Sequence, residues 1–480
     1  MVSADDPGPS ASEAAALHVQ QWRRIMFVLT YVTYASLYLT RKPLSIVKSA
    51  LETDLGVSRQ QLGSIDTGFL VCYAVGQFLT GALGDVYGPR RVLTVGYLGS
   101  AVAALVFAAY GSGSVWVMVV CWGVNGLTQS GGFPMMIKAL NPWMDATNRG
   151  KTLGVWTTCQ QIGGVLSNSI AGFALTTFGW RSAFTLPAAW VGLCGLAIFA
   201  LMKESPAEVT GGSSQPSPER PKSSVAPADS DASTASPPTG PSSTSTNSSS
   251  SDKGQGTDRM TLGQVLLIPG LMNLGVAYFC IKLVRYTMMM WLPYFLTKQG
   301  GYPPSQAAFM SSLFDVGGVL GSIACGVLSD KYFGGRRLLV VGMMSAATGA
   351  LAAAYAHAGG FGLLPNMVLM FLVGLAVAGP DSVLGGAACS DLCEKHNAQP
   401  AMGTATGFVN GVGSVGSILQ GSLTATITDT YGWDVLFLSL AALSLVAVIA
   451  LAPLITRSAT ATDKRPVPQT GAAAERKKVQ

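Results

Sequence analysis

The sequence alternates between long apolar blocks and short polar connections, and this alternation restricts the fold more than any other feature. A helix needs about 20 apolar residues to cross the ~30 Å hydrocarbon core of a bilayer. Blocks of roughly this length occur in two groups of six, at residues 24–50, 62–84, 92–110, 115–138, 151–175, 182–202, 265–297, 305–329, 337–357, 364–386, 401–427 and 434–456. Only 11% of the 480 residues are charged, whereas soluble domains have about 25%. The sequence therefore predicts an all-α membrane protein with twelve transmembrane helices in two six-helix bundles.

A long polar segment separates the two groups of blocks. Of the 55 residues at 204–258, 30 are Ser, Thr or Pro. Such a composition buries too little apolar surface to offset the entropy lost on ordering. The expected regions are a disordered N-terminus at 1–22, a first bundle at 23–203, a disordered cytoplasmic linker at 204–258, a second bundle at 259–457 and a disordered basic tail at 458–480.

The distribution of basic residues predicts the orientation in the membrane. With both termini and the linker in the cytoplasm, 22 of the 30 Lys and Arg residues lie in cytoplasmic segments. Five lie on the opposite side, namely Lys42, Lys48, Arg59, Arg181 and Lys298. Because cytoplasmic loops carry the excess of basic residues, we expect both termini to be cytoplasmic.

Composition and motifs also exclude several functions. The net charge of +6 is spread over short clusters and forms no basic stripe, which argues against a nucleic-acid partner. The sequence has no nucleophile–base constellation, metal-ligand cluster or phosphate-binding glycine loop. We therefore expect no enzymatic activity, no catalytic residue, no cofactor and no metal site.

The two halves of the chain share a loop motif. The pattern G-x-x-x-D-x-x-G-x-R-R occupies residues 81–91 and recurs, with one extra residue, at 326–337. Its charged positions in the two copies are Asp85, Arg90, Arg91, Asp330, Arg336 and Arg337. The repeated motif and the layout of six blocks, linker and six blocks resemble the major facilitator superfamily. The resemblance implies two pseudo-symmetric bundles with a substrate site between them, and loops that act in the conformational switch.

Two arginines within the apolar blocks are candidates for binding an anion. Arg285 lies midway along the seventh block, where an arginine costs ~2.5–3.5 kcal/mol on insertion scales. Arg41 ends the apolar run 25–40, but apolar residues continue after Pro43, so we expect the helix to continue as well. The two arginines are 244 positions apart, close to the 245 that separate the motif aspartates. This spacing predicts similar depths on opposite halves.

Two guanidinium groups that face one cavity repel each other unless an anion lies between them. Phosphate suits this position, because the planar guanidinium fork pairs bidentately with its oxygens. The sequence therefore predicts that Arg41 and Arg285 hold the phosphate of a solute.

The residues around the arginines narrow the resemblance. Y-x-x-x-Y-x-x-R-K at 34–42 and L-V-R-Y at 283–286 are similar to the first and seventh helices of the organophosphate/phosphate antiporters. The pattern R-K-P-x-S-x-V-K at 41–48 is closest to the eukaryotic sugar-phosphate/phosphate exchangers, the glucose-6-phosphate transporter-like branch. This branch implies an endoplasmic reticulum membrane, with a plasma or plastid membrane as the alternative.

Other polar residues of the blocks are expected to line or support the cavity. These are Tyr34, Tyr38, Lys42, Gln160, Lys282 and Tyr286. The alternative role of the tyrosines is packing, and that of Gln160 is a polar contact between helices. Lys282 has the alternative of pairing with Asp315 or Asp381. The bacterial members have a lysine at the position of Gln77 and a histidine at that of Gln160, which disfavours glycerol 3-phosphate as the substrate.

The leading hypothesis is exchange of a phosphorylated sugar or related organophosphate for inorganic phosphate. We expect a monomer in the lipid bilayer that works by rocker-switch alternating access. One alternative is a proton-coupled organic-anion symporter that uses Asp66, Asp315 or Asp381 as its titrating group. Another is a non-transporting membrane receptor or scaffold whose linker recruits partners.

Overall fold

The computed structural model describes residues 11–144, 149–210, 262–357 and 362–462, and these ranges contain helices and no β-strand. The α-helices are, in chain order, α1 (Ala11–Arg41), α2 (Pro43–Leu55), α3 (Arg59–Tyr87), α4 (Pro89–Tyr110), α5 (Val115–Gln129), α6 (Gly132–Leu140), α7 (Arg149–Thr157), α8 (Cys159–Phe178), α9 (Ser182–Leu201), α10 (Ala207–Thr210), α11 (Leu262–Leu266), α12 (Leu271–Lys298), α13 (Pro304–Val327), α14 (Arg337–Ala356), α15 (Leu363–Leu384), α16 (Ala387–Lys395), α17 (Met402–Thr430) and α18 (Trp433–Thr462). A π-helical turn, Leu328–Tyr332, follows α13.

Each of the twelve predicted blocks coincides with one of these helices or with two consecutive ones. Within the described ranges, seven helices are long and apolar enough by themselves to cross a membrane, and α3, α4 and α18 are among them. The helices that carry the two arginines, α1 and α12, do not meet that criterion. A hydropathy threshold thus misses the spans that hold polar and charged side chains in the membrane interior.

The expected region boundaries differ from the structure at both ends of the chain. The first helix begins at Ala11, so residues 11–22 are helical, contrary to the prediction of disorder. Alanine has the highest intrinsic helix propensity, and the alanine-rich lead extends the membrane helix towards the N-terminus. The last helix similarly continues to Thr462, beyond the expected boundary at 457. The remaining terminal residues and most of the expected linker, 211–258, lie outside the described residues.

The helix neighbours confirm the internal repeat. In the first half, α1 packs against α8, α3 against α5, and α4 against α9. In the second half, α12 packs against α17, α13 against α15, and α14 against α18. In terms of the predicted blocks, both halves have the pairs first with fifth, second with fourth, and third with sixth. The halves meet where α2 contacts α12, α3 contacts α17, and α8 contacts α13.

The helix that carries Arg41 continues past Pro43 as expected, but with a break. Lys42 separates α1 from α2, and its backbone stays in the right-handed helical region at φ −89° and ψ −21°. Proline has no amide hydrogen and is therefore well accommodated at the first position of a helix. The break places Arg41 at the end of α1 and directs the following turn, with Lys42 and Lys48, towards the second half.

Two glycines allow the halves to approach closely between α3 and α17. A Cβ atom added to Gly421 would lie 2.5 Å from the carbonyl oxygen of Gly63 and 2.9 Å from Oγ1 of Thr67. Beside this contact, Arg59 pairs with Asp429 at 3.1 Å, and Lys298 of α12 pairs with Glu52 of α2 at 2.7 Å. These contacts join the halves at the end expected to face away from the cytoplasm.

Replacing Gly421 with Ala should destabilise the protein, because α3 and α17 would have to separate. Overpacking of this kind costs about 1–3 kcal/mol. The matched control is Gly411→Ala on the same helix, where an added Cβ meets no described atom within 4 Å. We expect a lower thermal unfolding midpoint in detergent for Gly421→Ala and an unchanged or slightly higher one for the control. Equal midpoints in the two variants would contradict the close approach.

Candidate functional site

Arg41 lies between the halves with an unused hydrogen-bonding edge. Its Nε donates to Oε1 of Gln129 at 3.0 Å, and its guanidinium carbon lies 4.9 Å and 5.0 Å from the ring centroids of Tyr38 and Tyr73. No carboxylate of the described residues lies within ion-pair distance of it. Its buried Nη2 has no hydrogen-bond partner in the described part of the chain. The arrangement leaves a fixed guanidinium free to bind an oxyanion.

A buried network of neutral side chains fixes Gln129. The Nε2 of Gln129 donates to Oγ1 of Thr40 at 3.0 Å, to Oγ of Ser100 at 3.1 Å and to Oδ1 of Asn125 at 2.9 Å. Asn125 in turn donates to the carbonyl oxygen of Thr40 at 2.8 Å. These contacts set the orientation of the Gln129 amide, so its carbonyl oxygen must point at Arg41.

The sequence analysis missed this network and the role of Tyr73. A signal was present, because Asn125 and Gln129 are polar residues one helical turn apart in a largely apolar block. Polar side chains inside a membrane span face a partner or a cavity. The spacing alone, however, does not identify that partner as Arg41.

Arg285 has a different environment. Its Nη1 pairs with Oδ2 of Asp381, which lies on α15. The other oxygen of this carboxylate, Oδ1, is buried and has no hydrogen-bond partner. The expectation of two uncompensated guanidinium groups is therefore wrong for Arg285. No sequence pattern distinguishes Asp381 from other acidic residues as its partner, because the two residues are 96 positions apart.

Two tyrosines link the surroundings of the arginines. Tyr286 of α12 lies in the surroundings of both Arg41 and Arg285, and so does Tyr38 of α1, whose ring centroid is 4.9 Å from the Arg41 guanidinium carbon. The Tyr38 hydroxyl donates to Oε1 of Gln160 at 3.1 Å. The structure thus brings these five predicted residues together at the boundary between the halves.

Tyr34 lies in the core of the first half. It is 2% exposed and stacks on Trp156 with 5.3 Å between ring centroids. It also packs against Phe133, at 5.9 Å. Its predicted place among the cavity-lining residues is therefore corrected to packing behind Tyr38, whose ring it meets edge-on at 6.1 Å.

Lys42 forms an ion pair between the halves. Its Nζ lies 2.5 Å from Oδ2 of Asp315, which also accepts a hydrogen bond from Asn168 at 3.0 Å. Lys42 is only 3% exposed and does not lie in an open loop. The α2 turn buries it instead.

Lys48 is buried in a similar way. Its Nζ lies 2.5 Å from Oδ2 of Asp66 and donates to the carbonyl oxygen of Met290 at 3.0 Å. The same nitrogen lies 3.8 Å from the ring centroid of Trp291. This pair therefore also touches the second half.

Lys282 forms no ion pair with any residue that the structure describes. Asp315 and Asp381, its predicted partners, pair with Lys42 and Arg285 instead. The Lys282 ammonium lies 5.0 Å from the ring centroid of Tyr278, and Asp381 acts on it electrostatically from beyond ion-pair distance.

The described residues around this interface carry more positive than negative charge. Five basic side chains, Arg41, Lys42, Lys48, Lys282 and Arg285, face three carboxylates, Asp66, Asp315 and Asp381. Lys42, Lys48 and Arg285 are each compensated by one carboxylate. The excess belongs to Arg41 and Lys282. Because buried charges require compensation, this excess suits an anion of two negative charges.

The predicted switch loops make their contacts within one half each. Asp85 pairs with Lys138 of α6 at 2.7 Å, and Arg337 pairs with Asp391 of α16 at 3.0 Å. The guanidinium of Arg90 lies over the ring of Phe199 at 5.2 Å. Asp85 and Arg337 thus have ion-pair partners outside the motif, on α6 and α16.

The remaining motif residues are Asp330, Arg91 and Arg336. The carboxylate of Asp330 accepts a hydrogen bond from Ser329 at 3.2 Å. Arg91 and Arg336 are exposed. A role in the conformational switch stays a prediction for all six residues.

Comparison with known proteins identifies relatives over most of the chain. The model of the Major Facilitator Superfamily matches residues 30–399 and, in a second match, 274–479. The human glucose-6-phosphate exchanger SLC37A1 is 29% identical, over 91% of this chain and 93% of the relative. The putative glycerol-3-phosphate transporter 3 of Arabidopsis thaliana is 32% identical, over 90% of this chain and 86% of the relative.

Solved structures of low sequence identity share the fold. A bacterial homologue of the human lysosomal transporter Spinster, in an inward-facing and occupied conformation, matches with a TM-score of 0.65 and 13% identity. The match covers 93% of this chain and 99% of that one. The nucleoside transporter NupG matches with a TM-score of 0.66 and 14% identity, over 89% of this chain and 99% of its own.

Replacing Gln129 with Leu should lower stability more than replacing Gln160 with Leu. The first change removes the hydrogen bonds to Arg41 and to three buried oxygens, and each unsatisfied buried group costs about 1–3 kcal/mol. The second removes the bond from Tyr38. Thermal unfolding in detergent should give a clearly lower midpoint for Gln129→Leu. Equal midpoints would show that the Gln129 network contributes little.

Proposed function

Because the chain belongs to the major facilitator superfamily, we propose that it exchanges a phosphorylated sugar or related organophosphate for inorganic phosphate. The protein is a multi-pass integral membrane transporter and not an enzyme. The rest of the assignment is a proposal: alternating access by rocking of the halves, an arginine pair at the phosphate, and function as a monomer in the bilayer.

The unused edge of Arg41 is the observation that carries this proposal. The guanidinium is held by Gln129 and two tyrosine rings, and its Nη2 has no partner. A fixed guanidinium pairs with phosphate through two parallel hydrogen bonds, which gives both affinity and orientation. The glucose-6-phosphate exchangers and glycerol-3-phosphate transporters among the relatives support a phosphate-bearing substrate.

The charge excess favours exchange over transport of one solute alone. Without an anion, Arg41 and Lys282 leave two positive charges uncompensated between the halves. Closing the cavity around them removes water and raises the free energy of the empty carrier. A bound phosphate compensates both charges, so the loaded carrier closes more readily and returns with another anion.

Proton-coupled symport has less support from the site. Its candidate carboxylates, Asp66, Asp315 and Asp381, are each within reach of a basic partner. Each of these carboxylates compensates a buried cation, and that cation would lose its counter-charge if the carboxylate became neutral. The receptor or scaffold alternative provides no reason for uncompensated cations between the halves.

The same proposal extends to the organic group of the substrate and to the membrane in which the protein lies. Gln77 and Gln160 stand where the bacterial members carry lysine and histidine, which favours a sugar phosphate over glycerol 3-phosphate. The relatives include both glucose-6-phosphate exchangers and putative glycerol-3-phosphate transporters. We propose an endoplasmic reticulum location with both termini in the cytoplasm.

Replacing Arg41 or Arg285 with Lys should reduce phosphate exchange in proteoliposomes by at least about tenfold, because lysine cannot form the bidentate pair. The matched control is Arg181→Lys, at an exposed loop position where the guanidinium bonds Ser112. The control should exchange labelled phosphate at the unaltered rate. Near-normal exchange by both site variants would refute the arginine assignment.

Phosphate on the far side should drive uptake of labelled phosphate without a pH gradient. Proteoliposomes loaded with inorganic phosphate are compared with empty ones, each with and without a protonophore. We expect uptake only in loaded vesicles and no effect of the protonophore. Uptake into empty vesicles that requires a proton gradient would favour the symport alternative. Competition by glucose 6-phosphate, glycerol 3-phosphate, phosphoenolpyruvate and triose phosphate then ranks the organic groups.

A further inference from the structure

One carboxylate on α15 faces two cations on α12. Lys282 and Arg285 are three positions apart, a spacing that places both side chains on one face of the helix. Asp381 pairs with Arg285 through Oδ2 and acts electrostatically on Lys282. The same carboxylate therefore lies within reach of both cations but compensates only one of them.

The contacts of Asp381 and Lys282 are both incomplete. Oδ1 of Asp381 is buried without a hydrogen-bond donor. The ammonium of Lys282 rests over the Tyr278 ring at 5.0 Å and has no carboxylate of the described residues within ion-pair distance. A buried acceptor without a donor is unfavourable. An ion pair between this oxygen and Lys282 would satisfy both groups.

We propose that Asp381 forms its ion pair with Arg285 in the empty carrier. When a phosphate group binds, Asp381 leaves Arg285 and pairs with Lys282 instead. The inference rests on the proposed function, because it requires phosphate to compete for Arg285. Carboxylate and phosphate oxygens use the same donor fork of the guanidinium. A displaced Asp381 left unpaired in the interior would strongly disfavour binding, and Lys282 provides the alternative partner.

The transfer also determines the charge of the preferred ligand. In the loaded carrier, the phosphate compensates Arg41 and Arg285, while Asp381 compensates Lys282. All these charges are compensated only if the phosphate group carries two negative charges. The site therefore selects dianionic phosphate and phosphate monoesters over monoanions such as phosphate diesters or carboxylates.

The dissociation constant of inorganic phosphate tests the transfer directly. It is measured by calorimetry on the purified full-length protein in detergent, at a pH where phosphate is mainly dianionic. Asp381→Asn removes the internal competitor and should tighten binding about tenfold, because the competent state no longer has to displace a carboxylate. The control Asp315→Asn removes an equal charge from Lys42 instead and should change affinity by less. Equal tightening by both would refute competition at Arg285.

Lys282 provides the second arm of the experiment. Lys282→Gln should weaken phosphate binding about tenfold, because the displaced carboxylate loses its partner. In the Asp381→Asn background the same change should have little effect, since no carboxylate remains to be transferred. An equal fold-loss in both backgrounds would mean that Lys282 contacts phosphate directly, and would overturn the proposal.

The measurements distinguish three outcomes, namely a folding defect, failure of the proposed function and failure of the transfer. If Asp381→Asn does not fold, Lys282→Gln and Lys282→Arg decide the question. Lys282→Arg keeps a cation for Asp381 and should retain the affinity for phosphate. Unchanged phosphate affinity in Lys282→Gln would overturn the transfer. Absence of phosphate binding by the unaltered protein refutes the proposed function and the transfer together. Binding by the unaltered protein that Asp381→Asn leaves unchanged or weakens refutes the transfer alone.

Discussion

The free energy of an uncompensated charge in an apolar interior determines how the two halves meet. The chain breaks after Arg41, and α2 turns so that Lys42 pairs with a carboxylate of the second half, while Lys48 pairs with Asp66 of its own half. Lys42 crosses to Asp315, and Lys48 reaches a backbone carbonyl of α12. Each contact stabilises its cation and at the same time joins α2 to the opposite half. At Lys42, charge compensation and assembly of the halves are therefore one and the same interaction.

Arg41 and Arg285 occupy corresponding places in the repeat, yet different chemistry stabilises them. Arg41 is surrounded by aromatic rings and a neutral amide, which position the guanidinium without neutralising it. Arg285 has a carboxylate partner, which neutralises it. The first half therefore provides a fixed positive charge, and the second provides one whose availability depends on Asp381. Sequence symmetry between the halves does not extend to the electrostatics of the site.

The sequence predicted features that follow from local pattern or from the repeat. The helical blocks follow from the length of apolar runs, and the counterpart relation of Arg41 to Arg285 follows from a nearly constant offset. Partner choice was not predictable. Arg285 and Asp381 are 96 positions apart on different helices, and no periodicity relates them. The start of α1 was also missed, because alanine contributes little to hydropathy although it favours helix.

The Gln129 network marks a further limit of sequence analysis. Its members come from α1, α4 and α5, and each is an unremarkable polar residue of its own helix. Their joint effect on Arg41 emerges only when three helices pack together. A tertiary arrangement of this kind, and not any single residue, determines which edge of the guanidinium remains available.

The contact between Gly63 and Gly421 has a mechanical consequence. It lies near one end of α3, and Tyr87, at the other end, is 24 residues further along. At 1.5 Å per residue, this arm is about 36 Å long. If the helices pivot where their backbones touch, a rotation of about 10° displaces the far end of α3 by about 6 Å. A small angular change at two glycines thus becomes an opening wide enough for a small solute at the opposite end of the helix.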